Sequence, residues 1–240
     1  MPTMTFSDAL RSLAGAQKRA RGVSLYSRYV NRPLGRVFAA AAATAGLSPN
    51  AVTVVSALLT GAGLAVLIAA PPSWATGVGV ALLLVLGFAL DSADGQVARL
   101  TGRGSMAGEW LDHVVDAAKM VGVHAAVLIA AERHDLLSGA ARAVPLAYLL
   151  VAVVLFSGMT QFELLMRTRE QPLPASPQAS PSTIRAVALL PADYGILALA
   201  FLAWGAGPAF FVIYALLGVA TALIAGGLLT KWFRTLASSR

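Results

Sequence analysis

Asp91-Ser92-Ala93-Asp94-Gly95-Gln96-Val97-Ala98-Arg99, followed after eight residues by Gly108-Glu109-Trp110-Leu111-Asp112-His113-Val114-Val115-Asp116, decides how this chain of 240 residues is read. The sequence on either side is almost purely apolar, so Asp91, Asp94, Asp112 and Asp116 stand at or near the ends of membrane spans. Acids there are expensive and mark functional sites. The members of each pair are three or four residues apart, so each pair shares one face of a helix. Two such pairs from two helices can converge on hard divalent cations. Mg²⁺ and Mn²⁺ prefer carboxylate, water and phosphate oxygens, and the absence of cysteine argues against zinc. Gly95 and Gly108 let a ligand approach the backbone, and Arg99 supplies a planar cation suited to phosphate. Helix anchoring through Arg99, Arg103 and Lys119 would not need four acids in so apolar a region.

Composition sets the class. Hydrophobic residues make up 58% of the chain and charged residues 12%. The mean hydropathy is +0.73, which indicates a polytopic membrane protein. Without cysteine there is no disulfide, thiolate metal site or thiol nucleophile, and the compartment is left open. A cleavable signal peptide is not expected, because the first 45 residues are polar and basic without a compact apolar core. The net charge of +7 raises the question of nucleic acid, but its placement fits the flanks of membrane helices, and no nucleic-acid partner is expected.

Spanning a bilayer takes roughly 20 apolar residues. Six segments qualify, near 51–70, 75–93, 111–131, 145–166, 186–205 and 208–230. Pro191 and Asp193 blur the bounds of the fifth. Lys and Arg set the orientation. One side collects Arg11, Lys18, Arg19, Arg21, Arg28, Arg32, Arg36, Arg99, Arg103, Arg167, Arg169, Arg185, Lys231, Arg234 and Arg240. The other has only Arg133 and Arg142, and Lys119 lies inside a span. Both termini and the aspartate loop are therefore expected in the cytoplasm, with the protein integral to the cell membrane.

Residues 24–46 read as an amphipathic interfacial helix, with Arg28, Arg32 and Arg36 at four-residue intervals and apolar residues between them. Pro33 predicts a kink, a broken helix or a turn there. The expected fold is thus all-α and integral to the membrane, with six transmembrane helices behind an N-terminal interfacial helix. The expected division is a cytoplasmic N-terminal segment over 1–46, a membrane domain over 47–232 and a cytoplasmic tail over 233–240. The Pro/Ser/Gln/Ala stretch 170–184 reads as an extended tether between spans four and five.

The aspartate frame resembles the signature of the CDP-alcohol phosphotransferase (CDP-alcohol phosphatidyltransferase) family, D-x-x-D-G-x-x-A-R, about eight residues, then G-x-x-x-D-x-x-x-D. Every defining position matches in identity and spacing. Pro49-Asn50-x-x-Thr53 and the six-span layout extend the likeness over most of the chain. The resemblance implies that Asp91, Asp94 and Asp112 are metal ligands. It implies that Asp116 both contacts metal and acts as general base on the acceptor hydroxyl, and that Gly95, Ala98, Arg99 and Gly108 line the CDP pocket. It implies two Mg²⁺ or Mn²⁺ ions, a CDP-alcohol donor such as CDP-diacylglycerol, a small alcohol or polyol-phosphate acceptor, membrane lipid around the protein, and a homodimer. CMP would leave and a phosphodiester would form. A carboxylate beside cations is a weak base, so metal activation of the acceptor is expected to share the task.

Other residues carry weaker signals. Gly108-Glu109-x-x-Asp112-His113 resembles the version in choline and ethanolamine phosphotransferases, where a histidine there is linked to proton transfer. Adjacent helical residues point about 100° apart, so His113 need not face the metals. His124 reads as a hydrogen-bonded core histidine. Ser27-Arg28-Tyr29-Val30-Asn31-Arg32 is similar to a segment of synthases that use CDP-inositol, but a basic interfacial helix binding anionic headgroups explains it as well. Arg167, Arg169 and Arg185 suit an acceptor phosphate or ordinary topology. Lys119 lies one turn beyond Asp116 as a counter-charge or phosphate contact, and Asp193 reads mainly as a helix-to-helix hydrogen bond. Gly61, Gly63, Gly77, Gly79, Gly226 and Gly227 permit close helix packing. A soluble CDP-alcohol donor is the alternative within the same chemistry. A divalent-cation transporter is the rival from another class, and it predicts acids spread through the bilayer depth.

Overall fold

The computed structural model describes residues 5–15, 23–168 and 182–238, and among these there is no strand. In chain order come α1 (Phe6–Gly15), a π-helical turn (Ser27–Asn31), α2 (Arg32–Thr44), α3 (Pro49–Ala69), α4 (Trp74–Thr101), α5 (Met106–Arg133), α6 (Ala143–Arg167), α7 (Thr183–Ala188), α8 (Tyr194–Ala200) and α9 (Pro208–Ala237). Short 3-10 turns lie at Gly139–Arg142, Leu190–Ala192 and Phe201–Ala206. The protein is an all-α membrane protein. Among the described residues five helical stretches are long and apolar enough to cross a bilayer: Pro49–Ala69, Trp74–Thr101, Met106–Arg133, Gly139–Arg167 and Pro208–Ala237.

The expected fifth span, 186–205, is not one helix. Pro191 has no N–H to continue a helical ladder, and the chain after it is extended at Asp193. The Asp193 carboxylate then caps α8, accepting from the Gly195 N–H at 2.7 Å. Beyond Ala200 the chain tightens into the 3-10 turn and ends at Gly207, whose φ is 58°. An apolar piece of intermediate length, Tyr194–Ala206, results.

The helices that carry the aspartates run further than the expected spans, which ended near 93 and began near 111. α4 runs to Thr101, and Gly102 in the left-handed conformation (φ 66°) stops it. The Ser105 side chain accepts from the Gly108 N–H at 3.0 Å and starts α5. Only Gly102 to Ser105 separate the two helices, so a short turn joins α4 to α5, and both helices pack against α3.

α3 packs along α4 through small residues. The Ser56 hydroxyl donates to the Gly87 carbonyl at 2.8 Å, and a Cβ on Gly87 would press on the Ser56 carbonyl at 3.2 Å. Such close approach is how helices associate where lipid offers no hydrophobic driving force. The main core joins Leu67, Val80, Leu84, Val123 and Val127 with Phe201, Trp204, Phe210 and Tyr214. His124 is buried there, with Nδ1 2.5 Å from the Tyr214 hydroxyl, and so is a core histidine.

Two features of the N-terminal region were not anticipated. α1 buries Ala9 and Leu13 against Ala39, Ala40, Ala93 and Val97, on the back of the acidic turn of α4. Pro33 does not break the next helix. The helical run is continuous from residue 25 to Thr44, and Pro33 follows the π turn directly. Asp193 anchors this region, accepting from the hydroxyls of Ser24 and Ser27 (2.5 Å for Ser27). Lys18, Arg19, Arg21, Arg169, Arg240 and most of the expected tether lie outside the described residues.

α2 rests on α4 at Gly35, where a Cβ would stand 2.9 Å from the Ser92 Cβ and 3.0 Å from the Ala89 carbonyl. Backbone on one side leaves no room to yield. Gly35→Val is therefore expected to cost about 1–3 kcal/mol, read as a fall in the apparent thermal unfolding midpoint in detergent. An unchanged midpoint would show that α2 does not bear on α4 at this point.

Candidate active site

Asp91 on α4 and Asp112 and Asp116 on α5 each offer a carboxylate oxygen, all within 4.8 Å of one another. The short α4–α5 turn and the packing of both helices on α3 bring them together across two helices. Asp94 stands outside this triplet. It is buried at 6% exposure, and its Oδ2 accepts from the Thr53 hydroxyl at 2.6 Å. Its Oδ1 accepts from the N–H of Gly95. Thr53, read in the sequence only as part of a resemblance, thus holds the second aspartate in place.

Lys119 closes the cluster from below. Its ammonium donates to Asp91 and lies 3.5 Å from Asp116, with 6% of the side chain exposed. A lysine one helical turn past Asp116 is placed to reach both helices, so it sits in the site rather than beside it. Buried Tyr194 is within electrostatic reach of Asp91 and Asp116, a neighbour that residue spacing does not reveal.

Two cavities meet at Asp94, Gly95, Arg99 and Asp112. The larger, about 610 Å³, opens among the first turn of α3, the α4–α5 turn and the last turn of α6, with Asn50, Ala98, Gly108, His113 and Glu163 in its wall. A Cβ at Gly95 would meet no protein atom nearer than Arg99 Nη1 at 3.5 Å, so that residue leaves space rather than fitting a neighbour. Gly108 differs: its Cβ would come within 2.8 Å of Asn50 Oδ1, so it also brings α5 close to α3. The smaller cavity, about 200 Å³, continues past Asp91 to Arg32 of α2. Burial, with Arg99 and Arg28 nearby, pulls the Arg32 guanidinium down from its ordinary value. An arginine stays charged in proteins.

At the mouth of the larger cavity Arg167 pairs with Glu109, and His113 Nε2 lies 3.8 Å from the same carboxylate. Glu109 and Arg167 are each about half exposed, at 44% and 54%, so the pair adds little to stability. His113 faces the cavity, and so does Arg167, whereas Arg185 lines neither cavity.

The donor set fits Mg²⁺ or Mn²⁺. It is oxygen only, from three close carboxylates, with hydroxyl support on the fourth. Excess negative charge, hydrogen-bond donors and a guanidinium at the junction of two cavities suit a diphosphate held through cations.

A family model described as CDP-alcohol phosphatidyltransferase matches residues 46–233. No curated protein shows significant similarity to the chain.

Proposed function

The chain belongs to the CDP-alcohol phosphatidyltransferase family, and on that premise we propose that it moves a phospho-alcohol, most often phosphatidyl, from a CDP-alcohol such as CDP-diacylglycerol to an acceptor alcohol. As a family member it is a phosphotransferase. The observation that carries the finer proposal is the meeting of the Asp91, Asp112 and Asp116 oxygens beside a cavity walled by Gly95, Ala98, Arg99 and Gly108.

On this reading Asp91, Asp94, Asp112 and Asp116 hold two Mg²⁺ or Mn²⁺ ions. Bound there, the ions would offset the charge of the pyrophosphate and stabilise the departing nucleotide. Gly95, Ala98, Arg99 and Gly108 shape the pocket for the CDP half, and Asn50 narrows it. The acceptor oxygen attacks the phosphorus nearer the transferred alcohol, and the bond from that phosphorus to the bridging oxygen breaks. CMP leaves with the bonding pair, and the hydroxyl proton passes to the carboxylate of Asp116. Lys119 keeps the floor of the site from repelling itself. Proximity contributes as well, because both substrates are held at one junction.

A second reading keeps the chemistry and changes the donor to a soluble CDP-alcohol, of the CDP-inositol or CDP-choline and CDP-ethanolamine kind. It is favoured by Glu109, His113, Glu163 and Arg167, which give the mouth of the larger cavity a charged, polar wall. A cation transporter fits less well, since the acids gather at one end of two helices instead of lining a path. Metal-dependent release of CMP by the purified protein tests the proposal. A screen of CDP-linked donors against polyol, polyol-phosphate and amino-alcohol acceptors separates its two forms. Ion uptake without CMP release would favour the transporter.

The proposal includes a sixth crossing by the broken segment 183–206. In its support, one end of this segment is tied to Ser24 and Ser27 near the acidic cluster, while Trp204 packs on Gly77 at the far end of α4. It also places 1–46 and 233–240 outside the membrane domain 47–232, α2 at the interface, and both termini with the active site in the cytoplasm. Tyr29, Val30, Leu34 and Val37 are exposed apolar residues along α2 and its π turn, which suits an interface. A homodimer belongs to the same proposal. Gly61, Gly79, Gly226 and Gly227 have open space where a Cβ would stand, as close packing of a second copy requires.

A further inference from the structure

Asp193, Tyr194 and Gly195 follow the break in segment 183–206, and each meets a different neighbour. Asp193 turns to the N-terminal region and accepts from the hydroxyls of Ser24 and Ser27. Gly195 makes room for the Tyr26 ring, which a Cβ there would enter. Tyr194 turns to α4. Its ring lies 5.2 Å from that of Phe88, and Tyr26 stacks on the same Phe88 at 6.5 Å. Phe88 stands three residues before Asp91. The break itself is held by α9, where the Thr221 hydroxyl donates to the Pro191 carbonyl at 3.1 Å. The phenol of Tyr194 is thus fixed in place beside the acidic cluster, with Asp91 and Asp116 both within its electrostatic reach.

Packing does not account for its hydroxyl. Tyr194 is 8% exposed, and among the described residues its oxygen meets no hydrogen-bond partner of normal geometry. Its polar neighbour is buried Thr60 of α3, whose Oγ1 is in the same condition. Thr60 sits under Gly87, where a Cβ would stand 2.5 Å from its Oγ1, and Gly87 is about one helical turn before Asp91. Counting hydrogens shows what the pair needs. Each hydroxyl carries one donor hydrogen. If the two bond each other, one hydrogen is used and the other still needs an acceptor. Buried donors in native structures find one. The acceptors in reach are the carboxylates of Asp91 and Asp116, whose lone pairs outnumber the hydrogens of Lys119. Phenylalanine would fill the same space with no polar atom to bury. Tyr194 and Thr60 line neither cavity, so they are not placed to touch a ligand there.

We propose that Tyr194 is a positioning residue of the site: with Thr60 it directs one hydrogen bond into the Asp91 and Asp116 carboxylates from outside both cavities, and so fixes how these acids present their oxygens to a divalent cation. The bond is carried directly or by one bridging water, and both forms are lost with the hydroxyl. The consequence for turnover rests on the transferase reading above, whereas the consequence for metal binding rests only on the cluster holding a cation.

The test is Mn²⁺ binding by the purified full chain, followed by electron paramagnetic resonance, in Tyr194→Phe, Thr60→Val, the double variant and Tyr214→Phe. The last also deletes a buried phenol hydroxyl, one bonded to His124 in the core, and controls for a general loss of stability. Loss of a group that orients a metal ligand typically costs roughly 10- to 100-fold in affinity or activity. Tyr194→Phe is therefore expected to weaken Mn²⁺ about tenfold or more, while its unfolding midpoint in chelator stays at or above wild type. CMP release, measured with the CDP-alcohol that wild type turns over, should fall through kcat, with KM for that donor within about twofold. Thr60→Val should weaken Mn²⁺ in the same direction, and the double variant no further than Tyr194→Phe, because both delete one link. Tyr214→Phe should bind Mn²⁺ as wild type does. Mn²⁺ affinity of Tyr194→Phe within about twofold of wild type would overturn the proposal, as would an equal loss in Tyr214→Phe or additive losses in the double variant. Wild type that binds Mn²⁺ but releases CMP from no CDP-alcohol would instead overturn the transferase reading. Should Tyr194→Phe fail to fold, Thr60→Val decides, and affinity within about twofold of wild type there would overturn the proposal.

Discussion

Asp91→Asn and Asp116→Asn are each expected to reduce metal-dependent release of CMP from a CDP-alcohol by roughly three orders of magnitude. Each substitution neutralises one of three carboxylates whose oxygens lie within 4.8 Å of one another. An amide is neutral and cannot hold a hard cation as a carboxylate does. Metal stabilisation of a phosphoryl-transfer transition state is worth several kcal/mol, and each 1.36 kcal/mol is tenfold in rate, which sets that magnitude. Asp116→Asn also takes away the group assigned to receive the hydroxyl proton, so added metal is expected to restore less activity to it than to Asp91→Asn. The measurement is initial rate against Mg²⁺ and Mn²⁺ concentration for the folded variants. Either variant keeping a tenth or more of the wild-type rate would remove its residue from the proposed role.

The second large effect concerns Lys119. Two of the three clustered carboxylates meet one buried ammonium, which pairs with Asp91 and lies 3.5 Å from Asp116. Lys119→Met keeps the length of the side chain and deletes its charge. Taking one partner out of a buried pair costs about 3–5 kcal/mol, because the charge left behind has nothing to offset it. The variant is therefore expected to unfold well below wild type in the presence of a chelator. Divalent cation should recover much of that loss, since a ligand that binds only the folded state stabilises it by about 2.7 kcal/mol at a hundred times its dissociation constant. Mg²⁺ or Mn²⁺ should thus raise the unfolding midpoint of Lys119→Met more than that of wild type. Equal midpoints for the two proteins in chelator would show that the lysine does not balance the cluster.

How much of this was legible beforehand differs from residue to residue. Asp112 and Asp116 are four apart, about 40° around a helix, and spacing alone aligns them. Asp91 and Asp94 are about 60° apart by the same count. That offset lets Asp94 turn to Thr53, 41 positions away in sequence, while Asp91 joins the pair on α5. Local periodicity cannot show which partner an acid finds at that separation. Long apolar runs marked out five helical stretches well, because length and hydropathy are local properties. They misjudged 186–205 because average hydropathy is blind to Pro191 and to the capping of α8 by Asp193.

The N-terminal region was the hardest to read. α1 is a 10-residue helix, too short to hold by itself, and exists here through Ala9 and Leu13 buried against other elements. Arg32 closed a segment, Ser27 to Arg32, that read either as a likeness to synthases using CDP-inositol or as a basic interfacial helix. Its place in the smaller cavity comes from the docking of α2 on α4 and a contact to Gln96 across 64 positions. A position defined by docking leaves no trace in the spacing of its own segment.

The most direct test of the central claim is a Mn²⁺ titration of the purified protein followed by electron paramagnetic resonance, with and without CDP. Saturable Mn²⁺ binding is expected that tightens when CDP is added and is lost in Asp91→Asn, Asp112→Asn and Asp116→Asn. Mn²⁺ that binds the three variants as it binds wild type, or that ignores CDP, would contradict it.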